Sequence, residues 1–166
     1  MWWHKLKIIG GMVFLLAFAG CSTVTIGQLD ERVSAKVSSV SVVDTDGRAG
    51  QLYSRALRQA LYVYGQASPA YDLTSSISVS SSSTLSVRGV TSTFKKMSIV
   101  ANFTLKKQGG DVLLRDKVTA DATLGTVSSL FGQDQSELHA RDRMATLLAQ
   151  RVAQRVQLYF LENADN

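Results

Sequence analysis

Residues 94–105 read Phe-Lys-Lys-Met-Ser-Ile-Val-Ala-Asn-Phe-Thr-Leu, and apolar and polar side chains alternate along them. One side of this run carries apolar residues: Met97, Ile99, Ala101, Phe103 and Leu105. The other side carries polar ones: Lys96, Ser98, Asn102 and Thr104. A period of two is expected where one face of an antiparallel sheet is covered and the other is wet. The run therefore predicts a strand between an apolar and a polar layer.

Similar alternation lies on both sides of this run. Gln108-Gly-Gly-Asp111 predicts a hairpin turn into a strand from Val112 to Leu124. Upstream, the run from Tyr71 to Val79 predicts another strand, and Ser80–Ser83 would continue it in solvent. The three strands are expected to form a meander.

Helical periodicity appears in two other segments. Residues Arg48–Tyr64 repeat apolar side chains every three or four positions, and Gly65 is expected to close that helix. A longer helix is predicted from Asp134, where Asp134 and Glu137 resemble a capping box, to about Leu161. Its apolar face comprises Met144, Leu148, Val152, Val156 and Tyr159.

The β-branched run from Val33 to Val43 predicts the first strand, after a polar linker from Ser22 to Glu31. The predicted order is then β-α-β-β-β-α. We expect an α+β fold, a two-layer sandwich of two helices on a four-stranded, mostly antiparallel sheet. Residues 32–163 would form this single domain, after an export signal at 1–20 and a lipidated linker at 21–31.

The amino terminus has the composition of an export signal. Lys5 and Lys7 precede an apolar stretch from Ile8 to Ala19, which is shorter than the roughly 20 residues needed to span a bilayer. Phe18-Ala19-Gly20-Cys21 resembles the bacterial lipobox, which implies cleavage before Cys21 and acylation of that residue. The alternative is an uncleaved anchor with an ordinary cysteine. Ser22 after the cysteine favours, by the same resemblance, transfer to the outer membrane.

Groups for catalysis are sparse after residue 20. His139 is the one histidine there, and we expect it at the surface. No cluster with metal-ligand spacing, nucleophile elbow or phosphate loop is apparent, so we expect no enzyme and no cofactor. Because Cys21 is the only cysteine, no intrachain disulfide can form. An envelope hydrolase or glycan-binding enzyme remains a distant alternative.

Basic residues are concentrated around the middle strands: Arg88, Lys95, Lys96, Lys106, Lys107, Arg115 and Lys117. Only Asp111 and Asp116 oppose them within this stretch. Such a patch either keeps the sheet soluble and its edges unpaired, or binds an anion. On an outer-membrane lipoprotein the expected ligands are phosphorylated lipids, acidic glycans or an acidic protein surface, and not nucleic acid.

Three segments resemble the LPS-assembly lipoprotein family LptE. Gly50-Gln-Leu-Tyr-Ser-Arg-Ala-Leu-Arg-Gln-Ala-Leu61 resembles its first helix, residues 94–105 its central strand and residues 134–161 its last helix. The resemblance covers nearly all of the chain after the signal. It implies the fold predicted above, contact with lipopolysaccharide (LPS) and a partner, the β-barrel protein LptD, in which such proteins sit as a plug.

The resemblance also implies an LPS-binding residue. Arg88 stands where family members carry a basic residue linked to LPS, in the loop between the second and third strands, and Lys95 and Lys96 are its neighbours. A second basic position, in the loop before the last helix, has no counterpart in Ser128–Gln135. The expected function is a non-enzymatic subunit of the outer-membrane LPS translocon, anchored by its acyl chains. The alternative is an auxiliary outer-membrane lipoprotein of a lipid ABC transporter or a secretion channel.

Overall fold

A computed structural model describes residues 26–62, 65–84, 94–125 and 129–164. These residues form three helices and four strands in the order α-β-α-β-β-β-α. The helices are α1 (Ile26–Ser38), α2 (Gly47–Leu61) and α3 (Leu130–Glu162). The strands are β1 (Val40–Val42), β2 (Tyr71–Thr84), β3 (Phe94–Lys107) and β4 (Val112–Gly125). The predicted α+β class is confirmed, with one additional helix in front.

The strands lie side by side in chain order, β1-β2-β3-β4. The short β1 runs parallel to β2, whereas β2, β3 and β4 form an antiparallel meander. Ile77 of β2 lies opposite Ala101 of β3, which lies opposite Val118 of β4. The predicted sheet, mostly antiparallel with four strands, is confirmed. An irregularity at Leu105 and Lys106 shifts the register next to the hairpin.

The alternation in β3 separates the two layers as predicted. The five apolar residues on its core side, from Met97 to Leu105, are each at most 1% exposed. Leu57 and Leu61 of α2, with Leu148, Val152 and Val156 of α3, join them in one core cluster. Burial of this apolar surface fixes which face of the sheet the helices cover. The opposite face, which we call the open face, is left to solvent.

Residues 33–38 are helical, so the prediction of a strand from Val33 was wrong for that part. Val33 and Val37 are one helical turn apart and therefore share a face, and both are buried in the core cluster. Packing outweighs the β propensity of valine here, because that propensity depends on context. Only Val40–Val42 pair as a strand. Helix α1 begins at Ile26, within the stretch predicted as a polar linker.

The ends of α2 and α3 also differ from the predicted ones. Helix α3 begins at Leu130 and not at Asp134, because Ser129 takes the N-cap and its Oγ accepts the N–H of Gly132 at 3.3 Å. Helix α2 ends at Leu61, before the predicted Tyr64. Gly65 has a φ of 97° and donates its N–H to the Tyr62 carbonyl, so it follows the helix as a turn residue.

Candidate functional site

One end of the sheet, which we call the distal end, gathers candidate ligand-binding residues. It consists of the start of β3, the last residue of β4 and the start of α3. Phe94 of β3 lies opposite Gly125 of β4, and α3 begins only five residues later at Leu130. Because successive side chains of a strand alternate between faces, Lys95 points toward the helices and Lys96 toward the open face. The two lysines, predicted together as LPS-binding neighbours, therefore lie in different surroundings.

Lys95 forms an ion pair between the two layers. Its Nζ lies 2.7 Å from both carboxylate oxygens of Glu137 on α3, and the Gln133 side chain donates to the same carboxylate at 2.9 Å. The side chains of Lys95 and Glu137 are 28% and 17% exposed. The hydrogen bond from Lys95, followed by that from Gln133, lowers the pKa of Glu137 below its ordinary value. Lys95 thus links β3 to α3.

Lys96 is exposed on the open face. Its neighbours across the sheet are Ser82 of β2 and Thr123 of β4. Both of these residues are uncharged and exposed. No ion pair within the described part of the chain includes Lys96. Its ammonium group is available to an anion from solvent.

Large apolar side chains are exposed at the same end. Leu130 and Phe131 are 79% and 74% exposed in the first turn of α3, and Phe94 is 48% exposed at the start of β3. The sequence interpretation did not select them, because it began the last helix at Asp134. The signal was present in Ser129-Leu-Phe-Gly132, where an N-cap residue precedes two large apolar residues. The distal end therefore offers both cationic and apolar groups.

The remaining basic residues of the predicted patch lie elsewhere. Lys106 and Lys107 end β3, so they are separated from Lys96 by roughly 30 Å of strand. Arg115 and Lys117 lie between these two ends and line a shallow depression of about 590 Å³ on the open face, together with Asn102 and Thr104. The sequence predicted one patch, whereas the structure spreads the charges along the sheet.

Two of the predicted functional residues fall outside the described part of the chain. They are Cys21, the predicted acylation site, and Arg88, the predicted LPS-binding residue. His139 is exposed on α3, as expected. Among the described residues, no group of three or more His, Cys, Asp or Glu could hold a metal ion. Within those residues, no helix has the length and hydropathy of a membrane span.

A family model matches residues 35–156 of this chain. The family is LptE, described as lipopolysaccharide-assembly. The matched range begins in α1 and ends near the carboxyl end of α3, so it includes the whole sheet and the distal end. A comparison with curated protein sequences gives no match.

Two solved structures show the same fold, and a third is less similar. A proposed lipoprotein from Caulobacter crescentus CB15 has a TM-score of 0.59 at 18% identity, covering 76% of this chain and 94% of its own. A minor lipoprotein from Acinetobacter baumannii has a TM-score of 0.56 at 10% identity, covering 73% and 92%. Rare lipoprotein B from Shewanella oneidensis has a TM-score of 0.48 at 15% identity, covering 76% and 94%.

Proposed function

The chain belongs to the LptE family of lipopolysaccharide-assembly proteins, and from this membership we propose that it is a non-enzymatic lipoprotein subunit of the outer-membrane LPS translocon. Its acylated Cys21 would hold the domain at the outer membrane after removal of residues 1–20. Its partner would be an LptD-like β-barrel, whose lumen it would occupy as a plug. The observation that carries the proposal is the family match over residues 35–156.

The polar open face of the sheet supports the plug role. Serine and threonine dominate it on β2, where Thr74, Ser76, Ser78, Ser80 and Ser82 are all exposed. Arg115, Lys117 and Asp121 add both signs of charge on β4. The lumen of a large outer-membrane barrel is polar and filled with water. A mainly polar face of this composition suits such a wall.

The distal end supports contact with LPS. Lipid A carries phosphates and acyl chains, so a site for it needs cationic donors next to apolar surface. Lys96 supplies an exposed ammonium group, and Leu130 and Phe131 supply apolar surface within the same end of the molecule. Charge-assisted hydrogen bonds to phosphate are among the stronger polar contacts available to a protein. We place the LPS contact at this end, with Arg88 as a further cation.

Lys95 has a different role from Lys96 in the proposed binding of LPS. Its ammonium group already lies against the Glu137 carboxylate, so binding a phosphate requires sharing or exchanging that partner. Lys96 needs no such exchange. Lys95 therefore contributes to LPS binding chiefly by fixing the start of β3 against α3.

Isolation of the native full-length lipoprotein from membranes tests the function. We expect the intact mass to show an acylated residue 21 at the new amino terminus, and a β-barrel protein of the outer membrane to co-purify. The Cys21→Ala variant is the control, and we expect it to remain folded but to be lost from the membrane fraction. Recovery of a transporter component or a secretion channel in place of the barrel would support the alternative function.

A further inference from the structure

Among the described residues, strand β2 is covered along only part of its outer edge. It has 14 residues, whereas β1 has three and pairs with Tyr71, Asp72 and Leu73 alone. The chain then leaves the edge to begin α2, and the Thr45 hydroxyl donates to the Ser75 carbonyl at 3.4 Å. Beyond Ser75, the edge of β2 continues for nine residues, to Thr84.

The hydrogen bonds determine which backbone groups point outward along this edge. The Leu73 carbonyl accepts from Val43 at 3.0 Å, and Tyr71 donates to the Ser39 carbonyl at 3.3 Å, so the odd-numbered residues of β2 face away from β3. The N–H and C=O of one strand residue point to the same side, and this side alternates along the strand. Ile77, Val79 and Ser81 therefore direct their backbone groups outward. Within the described residues, no hydrogen bond reaches these outward groups.

The opposite edge of the sheet, on β4, is protected. The Thr119 carbonyl points outward there and accepts from Arg151 Nη1 of α3 at 2.6 Å. Arg155 of α3 also lies 3.6 Å from the Asp116 carboxylate. Charged side chains and covering contacts of this kind prevent unwanted strand pairing. The edge of β2 from Ser76 to Ser81 has neither charge, nor proline, nor glycine.

Side chains at the β2 edge also suit an added strand. Ile77 is half-buried and Val79 is 41% exposed on the side that faces the helices. Ser76, Ser78 and Ser80 lie on the open face and are small. A strand with apolar side chains on one face and polar side chains on the other would cover Val79 and continue the polar open face.

We propose that the outward edge of β2, from Ser76 to Ser81, accepts an extended segment of a partner polypeptide as a fifth strand of the sheet. Evenly spaced outward N–H and C=O groups are recognised by another extended backbone, which is the basis of strand addition in peptide recognition. This inference rests on the proposed function, because the barrel protein is the donor to which we assign the added strand. The barrel is thereby bound through main-chain hydrogen bonds and not only through side chains.

Hydrogen exchange of the full-length lipoprotein, alone and in the complex purified from membranes, tests this inference. We expect the amides of Ile77, Val79 and Ser81 to exchange at least tenfold more slowly in the complex. The amides of Ser76, Ser78 and Ser80 serve as internal controls, because they face β3 in both states. Equal exchange of the outward amides in both samples, with the barrel present, would overturn strand addition and leave the proposed function standing.

A pair of proline variants provides the second measurement. Val79→Pro removes one outward donor from β2, and Thr119→Pro removes one from the outward side of β4. We expect Val79→Pro to lower the barrel recovered per lipoprotein at least tenfold and Thr119→Pro to leave it within twofold. Thermal unfolding of each free variant tests whether it is folded. If the two proline variants recover equal amounts of the barrel protein, the inference is overturned.

Two further outcomes identify other failures. If no barrel co-purifies with the unsubstituted lipoprotein, the proposed function fails, and the inference fails with it. If the outward amides become protected in the lipoprotein alone as its concentration rises, a second copy of this chain fills the edge and the barrel is not the donor.

Discussion

Lys95 of β3 and Glu137 of α3 are 42 positions apart in sequence, yet the lysine Nζ lies 2.7 Å from each oxygen of the carboxylate. The pair joins the sheet to the longest helix at the distal end, beside the exposed Leu130 and Phe131. It therefore positions the region to which we assign contact with LPS. Lys95 was predicted as a ligand-binding residue, but in the structure it forms an ion pair with Glu137.

Replacing Lys95 distinguishes these two roles. In Lys95→Ala, Glu137 keeps only its bond from Gln133, so we expect the free energy of unfolding to fall by about 1 kcal/mol. Lys96→Ala removes an exposed side chain, so we expect the free energy of unfolding to change by no more than about 0.5 kcal/mol. Urea unfolding of the two variants under one buffer provides the comparison. Equal stability of both variants would show that the ion pair contributes nothing measurable.

Acid should weaken the contribution of Glu137. Its pKa is lowered from 4.5 in the folded protein, so the stabilisation is fully present above pH 4.5 and is lost as pH falls through the lowered value. We expect the difference in unfolding free energy between the unsubstituted protein and Glu137→Gln to shrink below about pH 4.5. Urea unfolding of both proteins at neutral and at acidic pH measures this difference in free energy. A difference that stays constant with pH would contradict the assignment.

High pH should destabilise the protein through ionisation of Tyr53. This residue is fully buried, and its hydroxyl lies 3.0 Å from the Ser75 hydroxyl. Burial raises the pKa of Tyr53 from 10.0 to about 12. The folded state therefore holds the proton more tightly, and its stabilisation is lost as pH rises from 10 toward 12. Between pH 10 and 12, we expect the free energy of unfolding of the unsubstituted protein to fall by about 2 kcal/mol relative to that of Tyr53→Phe. Parallel stability curves for the two proteins would contradict this.

Gly50 allows the chain to approach the start of α2 closely. A Cβ at this position would lie 2.5 Å from the Thr45 carbonyl oxygen, while the Ser54 hydroxyl accepts the Thr45 N–H at 3.1 Å. We expect Gly50→Ala to destabilise the fold by about 2 kcal/mol, despite alanine's higher helix propensity. Gly125→Ala is the control, because its Cβ meets nothing within 4 Å. Thermal unfolding of both variants tests the difference.

Arg88 is expected to contribute to LPS binding and not to folding. We expect Arg88→Glu in the full-length lipoprotein to weaken binding of purified LPS about tenfold, because charge reversal replaces an attractive contact with phosphate by a repulsive one. Circular dichroism should remain unchanged. Lys117→Glu, on the open face away from the distal end, is the matched control. Equal loss with both would indicate binding that depends on overall charge.

Sequence alone predicted the elements whose two faces differ most in polarity. The alternation from Met97 to Leu105, interrupted only by Val100, fits a strand, since a helix would place these apolar residues on every side. The segment from Val33 to Ser38 was ambiguous, because its valines fit both a strand and one helical face. Packing against α3 decides in favour of the helix, and that contact is not visible locally.

The site was less predictable than the fold for a related reason. The basic residues were visible in the sequence, but their distribution depends on strand register and on which helix covers each position. The Lys95 side chain lies on the same strand face as Met97, toward the helices, and it pairs there with Glu137 of α3, whose N-cap is Ser129. The exposed Leu130 and Phe131 follow from the same N-cap.

Helix α3, at 33 residues, measures about 50 Å from end to end. The hydrocarbon layer of a membrane is only about 30 Å thick. If α3 lies along the membrane normal in the lumen of the proposed barrel, it extends beyond the hydrocarbon layer into water on one side or on both. The Lys95–Glu137 ion pair near the amino end of α3 and the carboxyl end of the helix would then lie on different sides of that layer.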